Sequence, residues 1–432
     1  MLRRLRWTFP LLILTAAVGC LSRLRDQPTP IQAGYNPVEL LEPIGEQEAD
    51  AQLDLKDLYL VAEQWRQARR PAALPPERNV LCLSGGGSYG AYSAGVLYGW
   101  TQAGTRPTFD VVTGVSTGAL IAPFAFIGPE CDEQLKTVYT TLRSGDIFRI
   151  RKTVRLLVLA TDSLADNTPL ANVIEEYMTP EVLRRVAAAH AAGRRLYVCT
   201  TELESRRPVY WDMGEIASRG TPEAQELFHK ILLASSAIPG FFPPVRIPVT
   251  VDGKPLEELH TDGSVSNALF FRPPHVPADC RQNPDRTCLY GSNVYAMVAG
   301  KLYADPDRVR PRALSIASTS ASALIYAETR GDLLKLYTAC LLTGMDYHIS
   351  AIPADVSVPF ASTDFNGEKM TGLFERGRAW ATSGPGWRRT PPGLEPGEGA
   401  FLRAGTELTR VPLEKPPAVN PGPRVIGRRM TK

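Results

Sequence analysis

The chain has 432 residues, of which 44% are hydrophobic and 22% are charged, a composition typical of a globular protein with a large core. Its formal net charge is +3, but residues 1–19 contain three of the 48 basic residues and no acidic residue, so the rest has 45 basic and 45 acidic residues. A neutral chain that lacks a dense cluster of basic residues with aromatic residues between them is not expected to bind nucleic acid.

Residues 1–19 have the layout of a secretory signal peptide, which is removed from the mature protein. Their arginines precede an apolar run over residues 7–18, which is shorter than the roughly 20 residues that span a bilayer. The following "AVGC" resembles a bacterial lipoprotein cleavage site, at which Cys20 becomes the lipidated first residue, although Ala17 stands where leucine is commoner. An ordinary small-x-small site, and hence simple secretion, also fits Ala17 and Gly19.

We therefore expect export across the inner membrane and attachment to a membrane of the cell envelope through Cys20. Leu21 follows this cysteine in place of the aspartate that is often linked to inner-membrane retention, which favours the outer membrane in a host that has one. Residues 20–47 are rich in proline and polar residues, as in a lipid-anchored tether.

After the tether, strand-like and helical patterns alternate along the chain. A strand, a tight turn and a helix of small residues are predicted at 79–100 and again at 109–126. Other strands are predicted at 194–203, 208–213, 256–264 and 293–300, and helices at about 48–70, at 222–236 and, as one helix or two, at 312–344. This alternation predicts an α/β domain at residues 48–382, with a mainly parallel central sheet and helices on both faces. Residues 383–432 are rich in glycine and proline and are expected to form a loosely ordered tail.

Two cysteines, Cys280 and Cys288, bracket the polar loop "CRQNPDRTC" and are the best disulfide candidates in an oxidising compartment. Cys82 and Cys199 lie in apolar strand-like runs, where we expect buried single thiols. No group of cysteines and histidines in the sequence has the spacing of zinc ligands, so no metal of that kind is expected.

The stretch "GVSTG", residues 114–118, follows the second predicted strand. Ser116 lies between Gly114 and Gly118 in a strand–turn–helix context, which is the pattern of a nucleophile elbow. The serine would project at the N-terminus of a helix, where backbone N–H groups favour negative charge. The same letters also occur in ordinary small-residue loops, so catalysis needs a second indication.

The loop "SGGGSYG", residues 84–90, follows the first predicted strand. Its three consecutive glycines expose backbone N–H groups that can hold an oxyanion or a phosphate, although a plain packing turn is the alternative. A phosphate site is less favoured, because the loop lacks the G-K-[ST] ending of a P-loop and no acidic residue ends the next strand. The carboxyl ends of neighbouring parallel strands meet at one edge of a sheet, so both loops are expected to converge there.

A serine nucleophile needs a proton acceptor within hydrogen-bond reach, and the chain has five histidines. Only His260 stands near another candidate, because a strand would place it on the same face as Asp262, but a buried structural histidine is equally consistent. Asp262 begins "DGS" at the end of a strand-like segment, and a carboxylate can serve as the base when its surroundings raise its pKa. The similar "VDG" at 251–253 is expected to be a hairpin turn.

Four stretches, in this order over about residues 79–267, together resemble the patatin-like phospholipases, which use a Ser-Asp dyad without histidine. They are "SGGGSYG", "GVSTG", "ASSAIPGFFPP" and "DGSVSN". The resemblance implies a three-layer α/β fold with Ser116 as the nucleophile and Asp262 as the base. It also implies supporting roles for Gly85, Gly86 and Gly87 in the oxyanion hole, Gly114 and Gly118 in the elbow, and Pro239 and Gly263 in the other two blocks.

Two residues depart from the family pattern. Tyr89 stands where arginine or lysine is usual, so a positive charge near the substrate is lost, which weakens the expectation of a preference for phospholipids over other lipid esters. Ser264 replaces the glycine or alanine that usually follows Asp-Gly, a small change in volume.

The resemblance implies hydrolysis of a lipid ester, such as a phospholipid or lysophospholipid, without a cofactor or metal. Two rival hypotheses are kept. One is an α/β-hydrolase with a Ser-His-Asp triad that uses His348 or another late histidine. The other is a non-catalytic lipid-binding envelope lipoprotein with the same fold.

Overall fold

A computed structural model of the chain describes residues 55–150, 162–251, 253–276, 278, 287–305, 309–384, 386–394 and 398. The elements below belong to one compact unit, Leu53–Leu394. The proposed signal peptide, the tether and most of the tail lie outside the described residues, so their boundaries stay predictions.

One eight-stranded sheet forms the centre of this unit. The strands are β1 (Asn79–Leu83), β2 (Val111–Val115), β3 (Arg149–Ile150), β4 (Ala165–Asp166), β5 (Arg195–Glu202), β6 (Arg207–Asp212), β7 (Val245–Val251), β8 (Lys254–Asp262), β9 (Asn293–Met297) and β10 (Asp346–Ser350). The sheet order is β10-β9-β1-β2-β5-β8-β7, with β6 also paired with β5, while β3 and β4 pair separately. Strands β10 to β5 along this order are parallel, whereas β6, β7 and β8 are antiparallel to the strands they pair with. The predicted, mainly parallel sheet is confirmed.

The sheet is buried on both faces, because alternate residues of its strands enter two different cores. In β1, Leu81 and Leu83 belong to one core and Val80 and Cys82 to the other. The helices that cover these faces are α1 (Leu55–Ala68), α2 (Gly90–Gln102), α3 (Thr117–Ile127), α4 (Asp132–Thr141), α5 (Ser144–Ile147), α6 (Thr168–Tyr177), α7 (Pro180–Ala191), α8 (Met213–Ser218), α9 (Pro222–Ser235), α10 (Ala313–Thr343) and α11 (Gly367–Thr382). Within the described ranges, no helix is long and apolar enough to cross a bilayer.

The turns after β1 and β2 lie side by side, since these strands are parallel neighbours with Leu83 opposite Gly114. Each turn leads directly into a helix, α2 after the first and α3 after the second. Two adjacent strand–turn–helix units thus bring residues 84–89 and Ser116 to the carboxyl edge of the sheet, where the sequence predicted that they meet.

Candidate functional site

Ser116 occupies the turn between β2 and α3 in a strained conformation. Its φ of 54° and ψ of −125° lie in a region that non-glycine residues seldom adopt, at a cost of about 1–3 kcal/mol. The backbone N–H of Ser116 donates to the Ser235 hydroxyl at 3.0 Å, and this hydroxyl donates to the Cys199 carbonyl at 2.7 Å. The end of α9 therefore holds the elbow against β5.

The glycines of the elbow are required by close backbone approach. A Cβ atom on Gly114 would lie 2.5 Å from the Gly118 carbonyl oxygen. One on Gly118 would lie 2.5 Å from the carbonyl oxygen of Leu83, the last residue of β1. Glycine at both positions thus lets the elbow fit against the neighbouring strand.

The glycine-rich loop supplies N–H groups beside Ser116. Gly85 does not present its own N–H, because it donates to the Ala268 carbonyl at 3.1 Å. The N–H groups of Gly86 and Gly87 have no hydrogen-bond partner among the described residues. A Cβ on Gly86 would lie 1.9 Å from the Ala299 carbonyl oxygen, so the loop is seated tightly on the end of β9. Of the three glycines predicted to form an oxyanion hole, Gly85 has its N–H engaged, whereas Gly86 and Gly87 do not among the described residues.

Asp262 is the last residue of β8 and lies opposite Thr200 of β5. Its side chain is buried and lies near the Ser116 hydroxyl. One carboxylate oxygen accepts from the Ser264 N–H at 2.8 Å, across the turn that contains Gly263. Burial raises the pKa of Asp262 to about 6, although the nearby Ser116 hydroxyl and Ser264 lower it. The site thus joins a serine to a carboxylate whose pKa lies close to neutrality.

The segment after α9 links the nucleophile to the acid. Besides the bond from Ser235, the Ser236 hydroxyl lies 3.5 Å from the Ser116 carbonyl oxygen. The Ala237 carbonyl accepts from the Asp262 N–H at 3.0 Å, and Pro239 pairs with Phe242 in an isolated bridge. The sequence analysis did not identify Ser235 as a supporting residue. Its position in the "ASSAIPG" block, directly at a predicted helix end, was the available signal.

Histidine does not take part in this constellation. The His260 ring is fully buried and bonds to the Thr200 hydroxyl at 2.9 Å and to Glu258 at 3.0 Å. His348 bonds to Asn293, the first residue of β9, and therefore points to the opposite edge of the parallel strands. Burial lowers the pKa of His348 to about 4. None of the five histidines, all of them within the described ranges, has a hydrogen bond to Ser116 or Asp262.

The two departures from the family pattern lie on either side of the site. The Tyr89 hydroxyl donates to the Phe360 carbonyl, and its ring packs edge-to-face on the Phe360 ring at 5.5 Å. The Ser264 hydroxyl lies against the glycine-rich loop, since a Cβ on Gly85 would be 2.3 Å away from its oxygen. Tyr89 thus replaces a cation by a packed ring, whereas Ser264 brings an extra hydroxyl to Asp262.

Among the described residues, no cysteine thiol has a hydrogen bond to Ser116 or Asp262. Cys82 and Cys199 are buried free thiols, and burial raises the pKa of Cys82 to about 12. Cys288 is disulfide-bonded, but its predicted partner Cys280 and the proposed lipidation site Cys20 lie outside the described residues. In the part of the chain that the structure describes, no group of three or more His, Cys, Asp or Glu side chains could hold a metal ion.

Comparisons with known proteins show what the region around this site is similar to. Residues 81–275 match the family model described as patatin-like phospholipase. A patatin-like phospholipase domain-containing protein of Phaeosphaeria nodorum is 36% identical over 104 residues, which cover 24% of this chain and 12% of that protein. The uncharacterized protein YjjU of Escherichia coli is 29% identical over 195 residues, or 45% of this chain and 47% of that protein. The chain matches less than half the length of either relative.

Two solved structures give weaker likeness. VipD from Legionella pneumophila shares 10% identity at a TM-score of 0.29, over 72% of this chain and 67% of that chain. ExoU of Pseudomonas aeruginosa, in its complex with SpcU, shares 14% identity at a TM-score of 0.25, over 72% of this chain and 51% of that chain. The matched residues 81–275 include Ser116 and Asp262, so this part of the chain is similar to the patatin-like phospholipases.

Proposed function

We propose that the chain is a serine acyl hydrolase that cleaves carboxylic esters of lipids, such as phospholipids or lysophospholipids, through a Ser116–Asp262 dyad. The observation that carries the proposal is the placement of the strained Ser116 beside the buried Asp262 carboxylate, whose pKa the serine hydroxyl lowers. The N–H groups of Gly86 and Gly87 beside them complete the set of groups that acyl transfer needs. The family match supports a lipid as the substrate.

In the first step, the Asp262 carboxylate accepts the proton of Ser116 while Oγ attacks the ester carbonyl. The N–H groups of Gly86 and Gly87 donate to the carbonyl oxygen as it becomes negative. The leaving alcohol takes the proton from Asp262, and an acyl-Ser116 ester is left. Water then attacks this ester, Asp262 accepts the water proton, and Ser116 Oγ takes it back as the fatty acid leaves.

A small apolar cavity lies beside α3, the helix that follows the nucleophile. Its lining includes Thr117, Leu120, Phe124, Leu142 and Phe365. Its volume of about 50 Å³ is well below the roughly 300 to 1,000 Å³ of typical ligand pockets, so it does not by itself hold an acyl chain. Phe365 also belongs to an aromatic cluster with Phe148, which packs on Phe241 of the "IPGFFPP" stretch at 4.9 Å.

The dyad predicts a specific dependence of activity on pH. Only the ionised Asp262 can accept the Ser116 proton, and burial raises its pKa to about 6. We expect kcat/KM to fall as the pH drops below about 6 and to level off above about pH 7. Initial rates on a soluble ester between about pH 5 and about pH 8 test this. A profile that is flat over this range would argue against a carboxylate base with a raised pKa.

The Ser264 hydroxyl is expected to influence the pH below which kcat/KM falls. It lies near Asp262 and lowers the pKa of the carboxyl, so Ser264→Ala should move the pH at which activity is half-maximal to a higher value. Activity on the plateau should stay within about threefold of the original, because the Ser264 N–H still donates. Ser266→Ala is the matched control, since its hydroxyl bonds to Thr201 at 2.7 Å. An equal shift in both variants would assign the effect to the turn as a whole.

Replacing the histidines separates the dyad from a Ser-His-Asp triad. We expect each of the five single variants to retain activity within about tenfold, apart from a loss of stability when the buried His260 is changed. If the enzyme used a Ser-His-Asp triad, one of these five variants would lose almost all of its activity. A non-catalytic lipid-binding protein would differ from both, because a fluorophosphonate would fail to label Ser116 in the unmodified chain.

We also propose that the protein is exported and anchored in the cell envelope through a lipid on Cys20. The basic and apolar layout of residues 1–19, followed by the cysteine, supports this. Metabolic labelling with a radioactive fatty acid should mark the original chain and not a Cys20→Ser variant. Equal labelling of both would contradict anchoring at this residue.

A further inference from the structure

Helix α10 is far longer than the sheet that it covers. It has 31 residues, and only its C-terminal half contributes to the core, through side chains such as Leu333, Leu336 and Cys340. In the N-terminal half, Ile316, Leu324 and Ile325 are 51%, 71% and 53% exposed. Residues 316–325 therefore extend for about 15 Å without cover from the described part of the chain.

This uncovered half begins at the rim of the catalytic site. Asp332 accepts from the Ala268 N–H at 2.8 Å, and the Ala268 carbonyl in turn accepts from the Gly85 N–H. One and a half turns earlier, Tyr326 lies close enough to Tyr89 to raise its pKa. The C-terminal end of α10 leads to β10 at the amino edge of the parallel strands, so its N-terminal half points past the carboxyl edge, where Ser116 lies.

The composition of the uncovered half is unusual for a helix surrounded by water. Residues 313–325 contain no charged side chain, whereas a water-facing helix surface is normally charged. Ile316 and Ile325 are nine residues apart, which places them on opposite sides of the helix. The exposed Arg310 and Arg312 directly precede it.

We propose that residues 309–325 form the surface with which this protein docks on an anionic lipid bilayer. Arginines can reach phosphate groups while neighbouring aliphatic side chains enter the boundary of the acyl chains. Apolar groups on opposite sides of one helix suit a lipid layer, which can surround it, better than a protein partner, which covers one side. The surface deepens the proposed function, because it would bring the mouth of the Ser116 site to lipid esters in a membrane.

The test compares two pairs of exposed leucine and isoleucine residues on the same helix. One variant carries Leu324→Glu and Ile325→Glu in the projecting half. The matched control carries Leu334→Glu and Leu342→Glu in the half that packs on the body, where the side chains are 52% and 56% exposed. Every protein is the full chain with Cys20→Ser, so that lipidation cannot mask a difference. Binding to phosphatidylcholine vesicles with and without phosphatidylglycerol is measured by co-sedimentation, beside hydrolysis of a dispersed short-chain ester.

We expect the Leu324/Ile325 variant to bind phosphatidylglycerol vesicles at least about tenfold more weakly than the control pair, with unchanged hydrolysis of the dispersed ester. A third variant, Arg310→Ala with Arg312→Ala, should lose the preference for phosphatidylglycerol over neutral vesicles. Equal vesicle binding by the two glutamate pairs would overturn the proposal. A dimer would overturn it too. If analytical ultracentrifugation without lipid shows a dimer that only the Leu324/Ile325 variant loses, a second copy of the chain covers the helix. If no variant hydrolyses the ester, the proposed function fails, but vesicle binding still tests the surface.

Discussion

Replacing Ser116 with alanine, or Asp262 with asparagine, is expected to lower kcat/KM for a lipid ester by at least about a thousandfold. Alanine removes the attacking oxygen. Asparagine has almost the same shape as aspartate but cannot take the serine proton, so the nucleophile stays protonated. Fatty-acid release from mixed phospholipids and from p-nitrophenyl esters measures the loss, and the products identify the substrate class.

The double variant provides the internal control for this prediction. When residues act as one unit, the effects of replacing them do not add. The double variant Ser116→Ala with Asp262→Asn should therefore be no less active than either single variant. Thermal unfolding of each variant checks that the fold is kept. If Ser116→Ala is inactive while Asp262→Asn keeps most of its activity, the base lies elsewhere and a triad becomes the better account.

Gly87→Ala is expected to have the second largest effect, a loss of about 100-fold or more in kcat. Gly87 has a φ of 55°, and a Cβ there would lie 2.2 Å from the Ser362 carbonyl oxygen, so the backbone must shift. The shift would turn the N–H groups of the glycine-rich loop away from the carbonyl oxygen of the substrate. Because oxyanion donors stabilise the transition state more than the bound substrate, KM should change much less than kcat.

Gly104→Ala is the matched control for this change. Gly104 has a similar φ of 70°, but nothing lies within 4 Å of an added Cβ, and it follows α2 away from the site. Both variants therefore carry backbone strain of the same kind, and only Gly87→Ala disturbs the loop. Equal losses of activity in the two variants would attribute the effect to general instability and not to the oxyanion hole.

The local plan of the site could be predicted from the sequence because its parts are short and contiguous. "NVLCL" and "FDVV" indicate buried strands, and each is followed at once by small residues that permit a tight turn. The rule that parallel strands share a carboxyl edge then brings the two turns together. The long helix predicted within 312–344 is also present, as the single helix Ala313–Thr343.

What the sequence could not provide are contacts between distant segments. The bond from Ser116 to Ser235 spans 119 positions, and no local pattern marks that serine as different from its neighbour. The hydrogen bond from the Gly85 N–H to the Ala268 carbonyl depends on the path of the chain after β8. Strand β10 was missed although "DYHIS" alternates polar and apolar residues, because five residues directly after a long predicted helix are a weak signal.

The most direct test of the account is to trap the acyl-enzyme. The chain is mixed with a p-nitrophenyl ester, quenched in acid during turnover and digested, and its peptides are analysed by mass spectrometry. The account predicts one acyl group, carried by Ser116, that is absent in Ser116→Ala and strongly reduced in Asp262→Asn. An acyl group on another residue, or turnover that persists in Ser116→Ala, would contradict the claim that Ser116 is the nucleophile.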